Sequence, residues 1–363
     1  MKIGILTFHR AYNYGAVLQC YALQQYLLSM GHNVEVIDYR QPWIEECYKP
    51  FSPIVFIHHL KHNPRNALGY IKSYFIRKKI LSVRSKHFLS FLSEYIKLSP
   101  YPVHTINEIP NSYDAYVIGS DQLWGKECMG NKLDDVYLGN FNNSKVSRII
   151  GYAISSDHKS IKKLYDEKRL TASLYKFSSI SFRESSISHY IQELEGVSCP
   201  ITIDPTLLTD EKLWEPLIND EWETQNFVAI YQVRGGRKLK SILYNKAWQM
   251  AKQFGDCSII DLSNMCFSVA DFLSIIKYAK FVITSSFHAT VFSIIFKTPF
   301  YVIKNNDVRD CRYVDLCTVL GLDKQCIDKN NCTSDKYVDF SDIDIRLAAL
   351  RQQSVSFITN SLK

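Results

Sequence analysis

Short apolar runs and helix-length repeats alternate along this chain. Residues 3–8 and 34–39 each have the length and apolarity of a buried parallel strand. Between them Val17, Tyr21, Gln24 and Leu28 recur at helical spacing, with Asn13 as a starting cap and Gly31 as a stop. The three pieces predict one β-α-β unit. Residues 54–96 lack β-rich runs, and Leu68, Ile71 and Phe75, then Phe88, Phe91, Leu92 and Tyr95, predict helices with one apolar face. Strand-like runs resume at 115–118, 149–154, 178–182 and 201–203. After a polar stretch ending near Asn226 the alternation restarts, with strands at 227–233, 258–262, 281–284 and 300–303 and helices at 239–254, 269–279 and 288–296. The pattern predicts an α/β protein of two mostly parallel domains, 1–205 and 206–363. The first carries a helical insert at about 54–98, and the second ends in a helix over about 343–362, for which packing back across both domains stays open.

Length and composition agree with this division. A chain of 363 residues with 46% hydrophobic content exceeds the usual size of one domain. No apolar run reaches the roughly 20 residues of a membrane-spanning helix, and residues 1–10 lack the features of a secretory signal. A cytoplasmic location is expected. The ten cysteines contain no CxxC pair, which favours reduced thiols over disulfides or a zinc site. No metal and no redox cofactor is expected. The net charge of +7 is concentrated: basic residues from Lys61 to Lys97 crowd a segment in which Glu94 is almost the only acid. Two readings stay open for this insert, a solvated helical face and docking on anionic lipid headgroups through 61–97. Nucleic acid is not expected, because no reading motif accompanies the charge.

The candidate chemistry lies just past strand ends, where open α/β sheets place their ligands. In Thr284-Ser285-Ser286-Phe287-His288-Ala289 a buried strand runs through hydroxyl residues into a helix. The first-turn amides and hydroxyls there suit phosphate or carboxylate, and His288 can exchange a proton with the bound anion. An ordinary cap beside a packed histidine is the plain alternative. The loop His9-Arg10-Ala11-Tyr12-Asn13-Tyr14-Gly15 has too few glycines for a dinucleotide fingerprint, so Asp38 loses its reading as a ribose ligand. Asn13, Tyr14 and Gly15 can still offer polar groups to a sugar, as can Ser120, Asp121 and Gln122, with Trp124 either beside them or in the core. Arg183 would clamp an anion or pair with Glu184 or another acid. Arg234-Gly235-Gly236-Arg237 is a further anion candidate or a plain surface turn.

Taken in order, the 13–19 motif Asn-Tyr-Gly-Ala-Val-Leu-Gln, Gly119 to Trp124, Ser181-Phe182-Arg183-Glu184, Asp204-Pro205-Thr206 and Ser286-Phe287-His288-Ala289-Thr290 resemble the polysaccharide pyruvyl transferase family. The resemblance implies a GT-B-like fold of two Rossmann-like domains facing a cleft, the first on the acceptor side and the second on the donor side. It implies phosphoenolpyruvate as co-substrate and His288 as the catalytic acid. The acceptor would be a sugar, of galactose type and lipid-linked, converted to a cyclic pyruvate ketal during capsular or exopolysaccharide synthesis on the inner face of the membrane. Where some members carry an arginine two residues before the histidine, this chain has Ser286. Arg183, Arg234, Arg237, Arg309 and Arg312 are the substitutes, with Ser285, Ser286 and Ala289 completing a donor site. Two other classes are compatible with the sequence: a nucleotide-sugar glycosyltransferase of the same architecture, and a non-catalytic membrane-surface component of a polysaccharide-assembly complex.

Overall fold

The computed structural model describes residues 1–142, 147–264, 267–329 and 338–363. They divide into two compact units. One is Met1–Pro205 with Ser354–Lys363, the other Thr206–Gln353.

The first unit is built on a five-stranded parallel sheet of order β2-β1-β3-β4-β5. Its strands are β1 (Lys2–Leu6), β2 (Asn33–Val36), β3 (Ala115–Trp124), β4 (Arg148–Ser156) and β5 (Ser179–Phe182). Ile3 pairs with Val34 on one side and Ala115 on the other, which sets β1 in the sheet's interior and explains why Ile3, Ile5 and Leu6 are sealed from solvent. Helix α1 (Tyr14–Ser29) starts where Asn13 accepts the Ala16 amide at 3.2 Å and stops at Gly31, whose φ of +84° suits a residue without a Cβ.

The insert consists of α2 (Pro42–Cys47), α3 (Pro53–His62), α4 (Pro64–Lys72) and α5 (Tyr74–Tyr95). The first three share a sequence logic: proline opens the helix, and the residue before it, Gln41, Ser52 or Asn63, caps it with its side chain. The inner face of α5 rests Phe88 on Tyr14, ring centroids 5.2 Å apart. Helices α6 (His158–Asp166), α7 (Leu170–Leu174) and α8 (Ser185–Glu195) follow. The expected strand at 201–203 is reduced to a single bridge from Ile201 to Phe182, since only that residue reaches the β5 edge in register.

The second unit has its own five-stranded parallel sheet, ordered β10-β9-β8-β6-β7. The strands are β6 (Phe227–Tyr231), β7 (Ser258–Asp261), β8 (Phe281–Thr284), β9 (Phe300–Ile303) and β10 (Cys326–Ile327). Its helices are α9 (Gly236–Gln253), α10 (Val269–Tyr278), α11 (Phe287–Ile295), α12 (Cys311–Leu320) and α13 (Ile343–Leu362). Every residue of α11 is buried, its Thr290 and Ser293 hydroxyls donating back to the carbonyls of Ser286 and Ala289, and Phe292 meets Trp214 edge-on at 4.9 Å. Strand β8 lies between β6 and β9, so the loops leaving those three strands are neighbours.

The boundary expected for the second domain, 206–363, needs correction at its far end. Residues 354–363 of α13 and the terminus belong to the first unit. Polar contacts hold them there: the Ile203 amide donates to Ser354 Oγ at 3.0 Å, and Arg148 donates to the carbonyls of Leu362 and Lys363. Among the described residues no helix is long and apolar enough to cross a membrane.

Candidate active site

In the second unit the end of β8 is pinned before α11 begins. Thr284 Oγ1 donates to the Tyr231 carbonyl at 2.7 Å and accepts the Ser286 amide at 3.0 Å, while the Ser285 amide also reaches Tyr231 O at 3.2 Å. Ser286 therefore enters extended, with φ −111° and ψ 133°, and caps α11 by accepting the Ala289 amide at 3.4 Å. His288 is the second residue of that helix and is buried, its ring edge-on to Phe287 at 5.1 Å. The adjoining Ser285 is only 7% exposed, and its hydroxyl has no hydrogen-bond partner among the described residues. A buried hydroxyl left in that condition costs free energy unless a ligand or water satisfies it. Helix geometry also leaves the first-turn amides aimed outward, with the positive end of the helix dipole behind them.

Two loops flank this point. After β6, the Gln232 side-chain amide donates to the carbonyls of Arg234 at 2.8 Å and Gly236 at 2.9 Å, curling the chain into the start of α9. Gly235 has φ +101°, and a Cβ there would lie 2.3 Å from Leu239 Cδ2 and 2.9 Å from Asn305 Oδ1. Glycine is thus required for the β6 and β9 loops to approach each other. After β9, Asp307 accepts from the Arg309 amide at 2.8 Å and from its Nη2 at 3.0 Å. Burial pushes the Asp307 carboxyl up, but hydrogen bonds from Arg309 and the charges of Arg234 and Arg309 win, lowering it to about 2. Arg234 from the loop after β6 and Arg309 from the loop after β9 therefore act on the same carboxylate, and β8, which leads into the helix with His288, lies between those two strands. Arg237, in the first turn of α9, is exposed.

The first unit gathers a second polar set at the carboxyl edge of its sheet. Buried Asp38 accepts from His9 Nε2 at 3.1 Å and from Arg10 Nε and Nη2 at 2.7 and 2.6 Å. Burial raises the Asp38 carboxyl, yet the hydrogen bonds from His9 and Arg10 prevail and hold it well below the usual carboxylate range. Ser120 is fully buried: its amide donates to Gln19 Oε1 at 3.0 Å, and its hydroxyl donates to Ala153 O at 2.7 Å. Arg183 Nη1 donates to Asp204 at 2.6 Å and its Nε to Glu184 at 3.3 Å. Non-glycine residues in left-handed backbone mark this edge, Asp121 at φ 78° and Ala153 at φ 47°. Such conformations cost of order 1–3 kcal/mol each and gather at functional sites.

These placements sort the predicted site residues. Ser285, Ser286, Ala289 and His288 lie together at the end of β8, and Arg234 and Arg309 lie in the loops that leave the neighbouring strands β6 and β9. Arg183 does not serve as a donor clamp here, because two buried carboxylates occupy its guanidinium. Tyr14 and Gly15 are buried in α1, with Tyr14 against Phe88, so neither offers a side chain to a sugar. Ser120 is internal for the same reason, and Trp124 is a core residue whose Nε1 donates to Tyr137 O at 3.0 Å. Asn13, Asp121 and Gln122 stay half-exposed at the edge. Sequence reasoning missed the clasp of His9 and Arg10 on Asp38, and the roles of Asn305 and Asp307. Their common signal was a polar residue directly after a strand. Among the described residues no three His, Cys, Asp or Glu side chains gather as a metal-holding group.

The model of the family described as polysaccharide pyruvyl transferase matches residues 13–307, from the cap of α1 to the loop after β9. We find no match among curated proteins. Among solved structures the chain is similar to S. aureus MnaA in complex with UDP, at 10% identity and a TM-score of 0.47, covering 99% of this chain and 98% of that one. It is also similar to the UDP-GlcNAc 2-epimerase of Methanocaldococcus jannaschii, at 9% identity and a TM-score of 0.47 over 100% and 93% of the two chains. The glycosyltransferase SnogD from Streptomyces nogalater is 10% identical with a TM-score of 0.40, and 99% of each chain is covered.

Proposed function

Since the chain belongs to the polysaccharide pyruvyl transferase family, we propose that it transfers the enolpyruvyl group of phosphoenolpyruvate to a sugar and closes a cyclic ketal. The acceptor in this reading is a galactose-type, lipid-linked saccharide of a capsular or exopolysaccharide pathway. The observation that carries the reading is the end of β8: an imidazole in the first turn of a buried helix, beside a buried hydroxyl without a partner, with Arg234 and Arg309 arriving from the flanking loops.

In the reaction His288 gives a proton to the C3 methylene of phosphoenolpyruvate, which becomes a methyl group and leaves an oxocarbenium-like centre at C2. A sugar hydroxyl adds to C2, the bond from C2 to the phosphate oxygen breaks, and a second hydroxyl of the same sugar adds to C2. The two hydroxyl protons are balanced by one on the new methyl group and one on the released phosphate. The α11 amides, the Ser285 hydroxyl, Arg234, Arg309 and, with some movement, Arg237 and Arg312 would hold the carboxylate and phosphate. Asn13, Asp121 and Gln122 are the groups we assign to the acceptor.

The test is incubation of the purified protein with phosphoenolpyruvate and galactose-terminated lipid-linked or short soluble acceptors, following phosphate release and the acceptor's mass. His288→Ala should lower kcat by about 10²-fold or more, the usual share of a general acid. Full ketal formation by that variant removes the acid assignment. Stabilisation and turnover with nucleotide sugars while phosphoenolpyruvate stays inert overturns the donor assignment.

A further inference from the structure

The insert leaves an outer face that the rest of the unit does not cover. Leu68, Ile71, Phe75 and Ile76, where α4 gives way to α5, are 62%, 49%, 80% and 66% exposed. Half of the large exposed apolar side chains among the described residues fall between Phe51 and Leu89. Single exposed apolar residues are ordinary, but a run of them at one turn is not. The underside of the same turn is firmly held. Arg77 folds inward, its guanidinium 4.3 Å from the centre of the Tyr70 ring and its Nη2 donating to Cys47 O at 3.3 Å, and Tyr70 Oη accepts the Ser52 amide at 2.9 Å. Leu81 and Phe88 are buried further along α5. The exposed apolar group is therefore displayed on a packed base.

Charge decides what can cover it. No acidic residue occurs between Glu46 and Glu94. Lys72, Lys78 and Lys79 stand exposed beside the apolar group, and none of them is ion-paired among the described residues. An apolar core of a protein interface is normally depleted in lysine, whereas an apolar tip ringed by unpaired lysines matches a bilayer's acyl boundary beneath anionic headgroups. We propose that the α4–α5 turn docks this protein on an anionic lipid surface, with Phe75 and Ile76 entering the headgroup layer and Lys72, Lys78 and Lys79 facing the lipid phosphates. This rests on the insert alone and not on the transferase reading.

The test uses the full chain and vesicles of phosphatidylcholine with or without phosphatidylglycerol, read by co-flotation. Binding should require the anionic lipid and weaken as salt rises. Each lysine-to-alanine change should cost about fivefold in affinity, the equivalent of about 1 kcal/mol per basic residue at a membrane surface. The triple variant should therefore lose roughly 100-fold. Phe75→Ser with Ile76→Ser should lose binding at every salt concentration, while Lys252→Ala, on the exposed face of α9, should bind as the parent does. All are surface changes, so unaltered circular dichroism and an unaltered melting temperature keep loss of fold separate from loss of docking. Equal binding to neutral vesicles, no vesicle binding, or lysine variants that bind fully would each overturn the proposal. So would tighter binding to nucleic acid than to vesicles, or a concentration-dependent dimer abolished by Phe75→Ser.

Discussion

Replacing Asp38 by asparagine isolates the clasp that fixes the loop after β1. The carboxylate accepts four hydrogen bonds, one from the buried His9 ring, two from Arg10, whose side chain is 14% exposed, and one at 3.4 Å from Arg40. His9 Nδ1 also lies 3.1 Å from the Thr7 carbonyl, so the ring is held between that carbonyl and Asp38. Asparagine keeps one acceptor and turns a donor toward the guanidinium. Breaking a buried pair by removing one partner costs about 3–5 kcal/mol, and the partial exposure of Arg10 puts Asp38→Asn at about 3 kcal/mol. That corresponds to roughly a 150-fold rise in opening of β1 and α1, readable by hydrogen exchange at pH 7, with β8 and α11 in the second unit unchanged. The pH dependence follows from the sign of the shift. A carboxyl held below its ordinary value of 3.8 contributes fully above that pH and loses its contribution as pH falls further. In urea titrations the difference between parent and variant should be flat from pH 8 to 5 and shrink only below about 4. A deficit under about 1 kcal/mol at pH 7, or one already gone at pH 5, refutes the reasoning.

Three other changes probe the same structure. Gly119→Ala puts a Cβ 1.9 Å from the Tyr152 carbonyl at a φ of +141°, so β3 and β4 must separate; a loss of about 4 kcal/mol should appear as a lowered melting temperature and reduced soluble yield. Trp214→Ala empties a fully buried site against Phe292 and should cost about 3–5 kcal/mol in the second unit, against which a loss below 1 kcal/mol would count. Ser286→Ala removes the α11 cap at about 1 kcal/mol and should raise the KM for the anionic donor more than it lowers kcat; an unchanged KM would take the hydroxyl out of the donor site.

Strand positions were legible because buried parallel strands are written as apolar runs, and β1, β6, β8 and β9 show this plainly. Caps at Asn13 and Ser286 were legible for a local reason too, since they depend on residues three apart. What escaped was set by distant partners. β10 has two residues and exists only because Val302 and Ile303 of β9 offer it an edge. α12 buries Tyr313, Leu316, Cys317 and Leu320 on one face but carries no cap side chain to mark its start. The clasp on Asp38 joins residues 28 and 29 positions apart, and the pair of arginines acting on Asp307 comes from separate loops. His288 could be placed because its strand, cap and helix are contiguous. For Arg183 the sequence left the partner open, because Asp204 lies 21 residues downstream.

The tie between Ile203 and Ser354 means that the amino-terminal unit is not one continuous stretch of polypeptide. A ribosome finishes residue 205 long before residue 354 is available, so this unit must wait, incomplete, while the other is synthesised. Expressing 1–205 by itself would reproduce that waiting state indefinitely, whereas supplying 354–363 through a short linker after Pro205 offers a direct way to relieve it.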